Sequence, residues 1–432
     1  MQTVLYIIAD KKTPNHFSPD GRMNQNDPLL KKMYSYLWQT LFCPETGLFY
    51  DRISDGNDRF RDLPSLEEIA KQFPNPCGWS TGMEDCSING GHMLLTLAQI
   101  HRLTGEDLSE KISALLSGVC LCETRHGNRG FLVRGVSHRD GKSCYFNSSR
   151  DQLTMMTGGL FELYRSVPFL AEPQRELIRN MLLEMAQYCR KSVTEKNHYS
   201  YLRLDGGREI VSDLWACDVH EMLRLPMIYA AAGVVCEDGL FRREASALME
   251  EGLRVSEMFD KDKYYWDFPL IQMQLSLDVL RKCDFLAPYH KRLDLLREKV
   301  GFVAHREFCK VLERSRNYTG DWNVFCPNWR TLPMKMTAMT LKEDPCNGVF
   351  DGYTYLNPVY PQEFGVIVEY LRSLGNYLTA ALLAGNSSCV KKEDWKDYCG
   401  FLETLEFEKC TQAGPFSLLH GYVLGMEYFG KE

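Results

Sequence analysis

The sequence predicts an all-α protein whose helix pairs close into a double ring, an (α/α)6 toroid, as one domain over residues 1–432. Two observations predict it. Amphipathic helices with one apolar stripe alternate along the chain with helices that are apolar on most sides, so one kind belongs outside and the other inside. The alternation recurs at about 60 residues per pair, longer than most solenoid repeats, and six pairs account for most of the chain.

The first pair spans 29–103 and ends in an inner helix, Asn89 to Leu103. Thr104-Gly105-Glu106-Asp107 then supplies a stop and a new start. In the second pair, 107–166, Leu108, Ile112, Leu115, Leu116 and Val119 stripe an outer helix from Asp107 to Cys122, and Gln152 to Arg165 is its inner partner. In the third, 172–233, Leu177, Ile178, Met181, Leu182, Met185 and Cys189 face inward from Glu172 to Arg190, with Arg179, Asn180, Glu184 and Gln187 opposite. Its inner helix is read as Leu214 to Ala232, kinked at Pro226. The fourth pair, 239–284, joins Leu240 to Phe259 with Phe268 to Leu280. The fifth, 288–341, opens with His290 to Val303; the sixth is 363–428, and residues 342–362 fit no pair. The chain turns quickly after inner helices but runs through long loops before them, as in Cys43 to Ser80 and Thr124 to Ser149. Long loops in compact domains are usually functional.

Bulk properties narrow the function. Hydrophobic residues make up 44% and charged residues 25% of the chain, enough for a sizeable core. A net charge of −7 without any Lys/Arg run argues against nucleic-acid binding. The 16 cysteines include no Cys-x-x-Cys pair, and Cys189, Cys217 and Cys236 sit in apolar stretches as free thiols do. That spacing predicts no zinc site and no disulfide framework. It favours a reducing, cytoplasmic compartment, or a periplasmic or secreted one if a leader precedes the chain. The apolar start Val4 to Ala9 is short and lacks a basic flank, and no stretch approaches a membrane span. Oligomeric state is open.

Distinctive polar residues gather where long loops enter the inner helices. They are Gly78-Trp79-Ser80-Thr81-Gly82-Met83-Glu84-Asp85, Asn147 to Gln152, Ser212-Asp213-Leu214-Trp215 with His220 two turns on, Tyr264-Tyr265-Trp266-Asp267, Thr319-Gly320-Asp321-Trp322 and Asp351-Gly352-Tyr353. In a toroid all inner helices begin at one end, so these segments are expected to converge on one cleft. Acids at helix starts are also ordinary caps; what exceeds capping is the recurrence of an acid beside an aromatic or Arg. Sugar rings take apolar faces and polar edges, which Trp, Tyr, Asp and Arg supply. Asp85 and Asp151 form the leading acid/base pair, with Glu84 and Asp213 as competitors. Trp79, Arg150, Gln152, Trp215, His220, Trp266, Asp321, Trp322 and Tyr353 are the candidate substrate contacts. The expected ligand is an oligosaccharide, with no metal and no cofactor.

The run Arg150-Asp151-Gln152-Leu153-Thr154-Met155-Met156, followed by Leu160-Phe161, resembles the segment opening an inner helix in unsaturated glucuronyl hydrolases and their relatives, which are six-hairpin glycosidases. Glu84-Asp85 ahead of Asn89-Gly90-Gly91 is similar in position to the first catalytic aspartate of that group, whose usual His-Asp pair reads Glu84-Asp85 here. The resemblance covers residues 78–233. It implies glycoside hydrolysis on a uronate-containing fragment, with an aspartic acid protonating the sugar's double bond and Arg134, His138, Arg139 and Arg150 available to a carboxylate. Two alternatives stand beside it. One is a sugar epimerase or isomerase on the same ring, with His220 and Asp213 facing the cavity; among the other histidines, His92, His101, His126, His138 and His198 show no second partner. The other is a non-catalytic glycan-binding toroid.

Overall fold

A computed structural model describes residues 27–54, 57–168, 170–208, 210–322, 325–339, 353–385, 388–407 and 414–430. Its helices run α1 Pro28–Tyr36, α2 Leu66–Ala70, α3 Cys86–Thr104, α4 Ser109–Thr124, α5 Arg150–Ser166, α6 Glu172–Ser192, α7 Arg224–Val235, α8 Gly239–Ser256, α9 Asp267–Arg281, α10 His290–Arg316, α11 Gln362–Leu382, α12 Lys392–Thr404 and α13 Gly414–Phe429. The strands form two antiparallel hairpins: β1 Phe42–Cys43 with β2 Leu48–Phe49, and β3 Met334–Met339 with β4 Tyr353–Pro358.

Six helices make a closed inner ring. α3 packs on α5, α5 on α7, α7 on α9, α9 on α11, α11 on α13, and α13 returns to α3. These are the helices apolar nearly all round: α3 buries residues along its whole length, Cys86 to Thr104. The outer ring closes as well, through polar contacts. The Lys111 ammonium of α4 lies 4.2 Å from the Tyr34 ring of α1, α4 packs on α6, and Arg190 of α6 pairs with Glu244 of α8 at 3.0 Å. Arg292 of α10 pairs with Glu250 of α8, Arg316 of α10 with Asp397 of α12, and Lys32 of α1 donates to the Leu405 carbonyl at 2.7 Å. Outer helices such as α6 bury one stripe, Ile178, Met181, Leu182, Met185 and Cys189, as a half-wet helix must. The (α/α)6 toroid is thus present.

The seams of the inner ring depend on missing side chains. A Cβ on Gly91 would lie 2.6 Å from the Met155 backbone, and one on Gly159 would lie 2.5 Å from the Gly91 carbonyl oxygen, so α3 and α5 meet backbone to backbone. Gly375 approaches Ser417 as closely between α11 and α13.

Four expectations are corrected. The third inner helix begins at Arg224, not Leu214. The intervening apolar residues fold as turns, with Ala216 at φ +54, and Pro226 sits third in the helix, where its missing N–H would have had no partner, so it does not kink an interior. The fifth inner helix is α11, reached only after the β3–β4 hairpin, so the fifth pair spans α10 and α11 rather than 288–341. The sixth is α12 with α13, not 363–428. Among the described residues no helix is long and apolar enough to cross a membrane, and the cysteines are free thiols.

Candidate active site

At the end where inner helices begin, a cavity of about 350 Å³ opens between α3, α5, α9, α11 and α13. It is built from the first two turns of α3, α5, α9 and α13, the middle of α11, and the loops that enter the helices.

Asp85 is the residue before α3. Its side chain makes no capping bond to the helix. Its Oδ1 instead accepts from Gln152 Nε2 at 2.8 Å and from Arg134 Nη1 at 3.3 Å. The side chain is surrounded by protein yet keeps 41% exposure, the state of a group on a cavity wall. Burial raises its carboxyl above the usual range; Arg134 opposes this, and the neighbouring Glu84 charge adds to it. Behind it, Asp51 Oδ1 accepts from Asn89 Nδ2 and Oδ2 from the Asp85 N–H, both at 2.7 Å. Burial, then the charges of Glu84 and Asp85, push Asp51 well up.

Glu84 also lines the cavity, but its carboxylate holds the loop together. It accepts from the Ser80 and Gly82 N–H groups at 3.1 and 2.7 Å and lies 3.4 Å from Arg52. Ser80 and Gly82 both have positive φ, as a chain wrapped around one carboxylate requires. Trp79 presents its ring to the cavity, with Arg134 5.7 Å from its centroid and Tyr355 edge-on at 5.6 Å.

Asp151, in the first turn of α5, lines the same cavity and pairs through Oδ1 with Nη1 of Arg224, a side chain only 1% exposed. Its neighbour Arg150 turns to Glu221, which also lies 3.4 Å from His220. Burial opposes ionisation of Glu221, yet the His220 hydrogen bond and the Arg150 and Arg224 charges hold it at about 2. Gln152 is fully buried and ties α5 to α3.

The opposite wall combines the expected Tyr264-to-Asp267 segment with two α11 residues that the sequence did not single out, Arg372 and Asn376. Asp267, first residue of α9 and wholly buried, accepts from Asn376 Nδ2 at 2.7 Å and Arg372 Nε at 3.2 Å. Arg372 and Asn376, four apart on α11, both face the cavity; that Arg-x3-Asn spacing was the available signal. His92, two turns into α3, lines the cavity, and its Nε2, turned into the protein, has no protein partner. Burial lowers it to about 4, so its imidazole is neutral. Its ring stands 5.3 Å from that of His420 on α13.

Other expected contacts lie elsewhere. Asp213 opens no helix: it bridges Ser200 in a loop, its carboxyl raised by burial against Arg208, and it does not line the cavity. His220 sits in a turn ahead of α7, against Tyr265, rather than two turns inside a helix. Trp215 packs toward Gly252 of α8. Trp266 stands 49% exposed beside Tyr264. Asp321 is exposed, and Trp322 packs on Tyr318 and Phe401, because this segment follows an outer helix. Tyr353 begins β4, not an inner helix; its side chain, with Asp351 and Gly352, lies outside the described residues.

No known family profile matches the chain, and no curated protein matches it. The solved structures similar to the chain include two at low identity. One, a sugar epimerase from a ruminal bacterium, superposes with a TM-score of 0.45 at 10% identity, over 93% of this chain and 99% of that one. The other, a D-mannose isomerase, gives 0.42 at 12%, over 92% and 96%.

Proposed function

We propose that the chain is a sugar isomerase or epimerase acting on a single opened sugar held in the inner-ring cavity. The observation that carries this reading is one helix face: Asp85, Asn89 and His92 follow one another down α3 and line the same cavity. At about 350 Å³ the space is near the lower end for small-molecule sites, which suits one sugar unit better than a chain of them.

In this reading Trp79 and Phe268 give the sugar apolar surfaces. The His92 imidazole removes the proton from the carbon beside the sugar's carbonyl, and Asp85 donates a proton to the carbonyl oxygen, giving an enediol. Returning the carbon proton to the former carbonyl carbon while the Asp85 carboxylate takes the proton of the other enediol hydroxyl yields the isomer; returning it to the other face of the original carbon while Asp85 takes back its own proton yields the epimer. Arg134 and Arg372 stabilise charge on the sugar oxygens as it develops.

Proton NMR of aldoses and ketoses incubated with the protein in heavy water tests this. The C2 proton signal should disappear as product forms, and Asp85→Asn and His92→Gln should each abolish the exchange. No exchange with any sugar overturns the reading.

A second reading, hydrolysis of an unsaturated uronyl sugar, is favoured by one observation. Asp85 and Asp151 line one cavity in opposite settings, one desolvated and one paired with a buried guanidinium, as an acid and a base require. Loss of the substrate's ultraviolet absorbance would report it directly.

A further inference from the structure

We propose that His305, Cys309 and Asp394 form a binding site for zinc, or a similarly thiophilic divalent ion, that clasps α10 to α12 in the outer ring. This site is independent of the cavity and of the reading given to it.

His305 and Cys309 stand four apart on α10 and therefore share a face. Asp394, third residue of α12, meets them from the next outer helix. His305 Nε2 lies 2.9 Å from Asp394 Oδ2, Cys309 Sγ lies 3.4 Å from the same Nε2, and the three ligand atoms fall within 4.8 Å of one another. A tetrahedral zinc with bonds near 2.0–2.3 Å places nitrogen and sulfur about 3.5 Å apart, and nitrogen and oxygen about 3.3 Å apart. The two distances at His305 Nε2 are thus within a few tenths of an ångström of those in a coordination sphere.

The donors suit the ion. Thiolate, imidazole and carboxylate are zinc's ordinary protein ligands, and three of them leave the fourth position to water. The Asp394 Oδ2 already accepts from the Lys391 N–H at 2.9 Å, an outer hydrogen bond of the kind that orients a ligating carboxylate. The Cys309 and His305 side chains are half-buried, open enough for entry. Binding replaces the thiol proton with the metal, so one proton is released to solvent per ion bound at pH below the thiol's range. The sequence hid the site because its cysteines lack Cys-x-x-Cys spacing; the informative spacing is His-x3-Cys on a helix, completed by an acid 85 residues after Cys309.

The test uses the full chain, stripped with a chelator and titrated with Co²⁺, then with Zn²⁺ in competition. The expected result is one ion per chain with a thiolate-to-cobalt absorption band, and a zinc-dependent rise in melting temperature. Cys309→Ser and His305→Gln should each remove the band and weaken zinc more than about tenfold, while Cys389→Ser, which removes an exposed thiol on another segment, should change neither. Absence of a thiolate band in the unmodified chain, or its survival in Cys309→Ser, overturns the proposal; the His305→Gln variant serves if the serine variant does not fold.

Discussion

Gln152 Nε2 donates to Asp85 Oδ1 at 2.8 Å while Gln152 Oε1 accepts from the Ile88 N–H at 3.0 Å, so one side chain of α5 grips the mouth of α3. Gln152→Ala leaves a buried N–H without a partner and should cost about 1–3 kcal/mol, read as a lower denaturation midpoint. It also removes a donor that favours the charged form of Asp85. Activity that needs Asp85 protonated should therefore persist to higher pH in this variant. A pH–rate profile with an unmoved alkaline limb would argue against that role.

The two cavity aspartates should separate stability from activity. Asp85→Asn relieves a desolvated carboxyl, so the fold should be as stable or more so, while turnover falls at least about 100-fold. Asp151→Asn takes the partner from a guanidinium that is 1% exposed and should cost about 3 kcal/mol. Thermal melts of both variants check this. Equal destabilisation would contradict the burial argument.

Stability should decline on both sides of mildly acidic pH. Folded Asp51 and Asp85 keep protons that the unfolded chain has released, so their contribution is lost as pH rises out of the ordinary carboxylate range. His92 acts oppositely: neutral when folded down to about 4 but protonated below 6.5 when unfolded, it contributes stability above 6.5 that is lost as pH falls toward 4. Glu162 and Glu221, each lowered from 4.5 to about 2, extend that loss to more acid pH. Melting temperatures across pH should flatten on the alkaline side in Asp51→Asn and on the acid side in His92→Leu.

Glycine contacts set the inner ring's diameter. Gly91→Ala places a methyl 2.6 Å from the Met155 backbone and should cost about 1–3 kcal/mol or more. Gly400→Ala, on the open face of α12 with nothing within 4 Å, should stabilise by about 0.5–1 kcal/mol. Chemical denaturation of both compares them.

The ring was legible because burial writes periodicity into sequence. The α6 stripe and the near-continuous burial of α3 both follow the predicted pattern. What failed were boundaries governed by turns. Leu214 to Leu223 carries helix-like apolar spacing, yet Ala216 adopts positive φ and the helix waits for Arg224, which displaced Asp213 and His220 from the cavity. The β3–β4 hairpin interrupted the pair rhythm and hid α11, and with it Arg372 and Asn376. Asp85, Asp151, Glu84, Trp79 and their neighbours could be placed near one hollow because inner helices share a direction. The Asp267–Asn376 and Asp151–Arg224 pairings join residues 109 and 73 apart, which no local pattern records.

The most direct test of the account is a crystal structure with a hexitol, an acyclic alcohol that mimics an opened sugar and cannot isomerise. The account predicts the hexitol inside the inner ring, with hydroxyls on the Asp85 carboxyl and on the His92 imidazole. A hexitol bound outside the ring, or one in the cavity that touches neither residue, would contradict it.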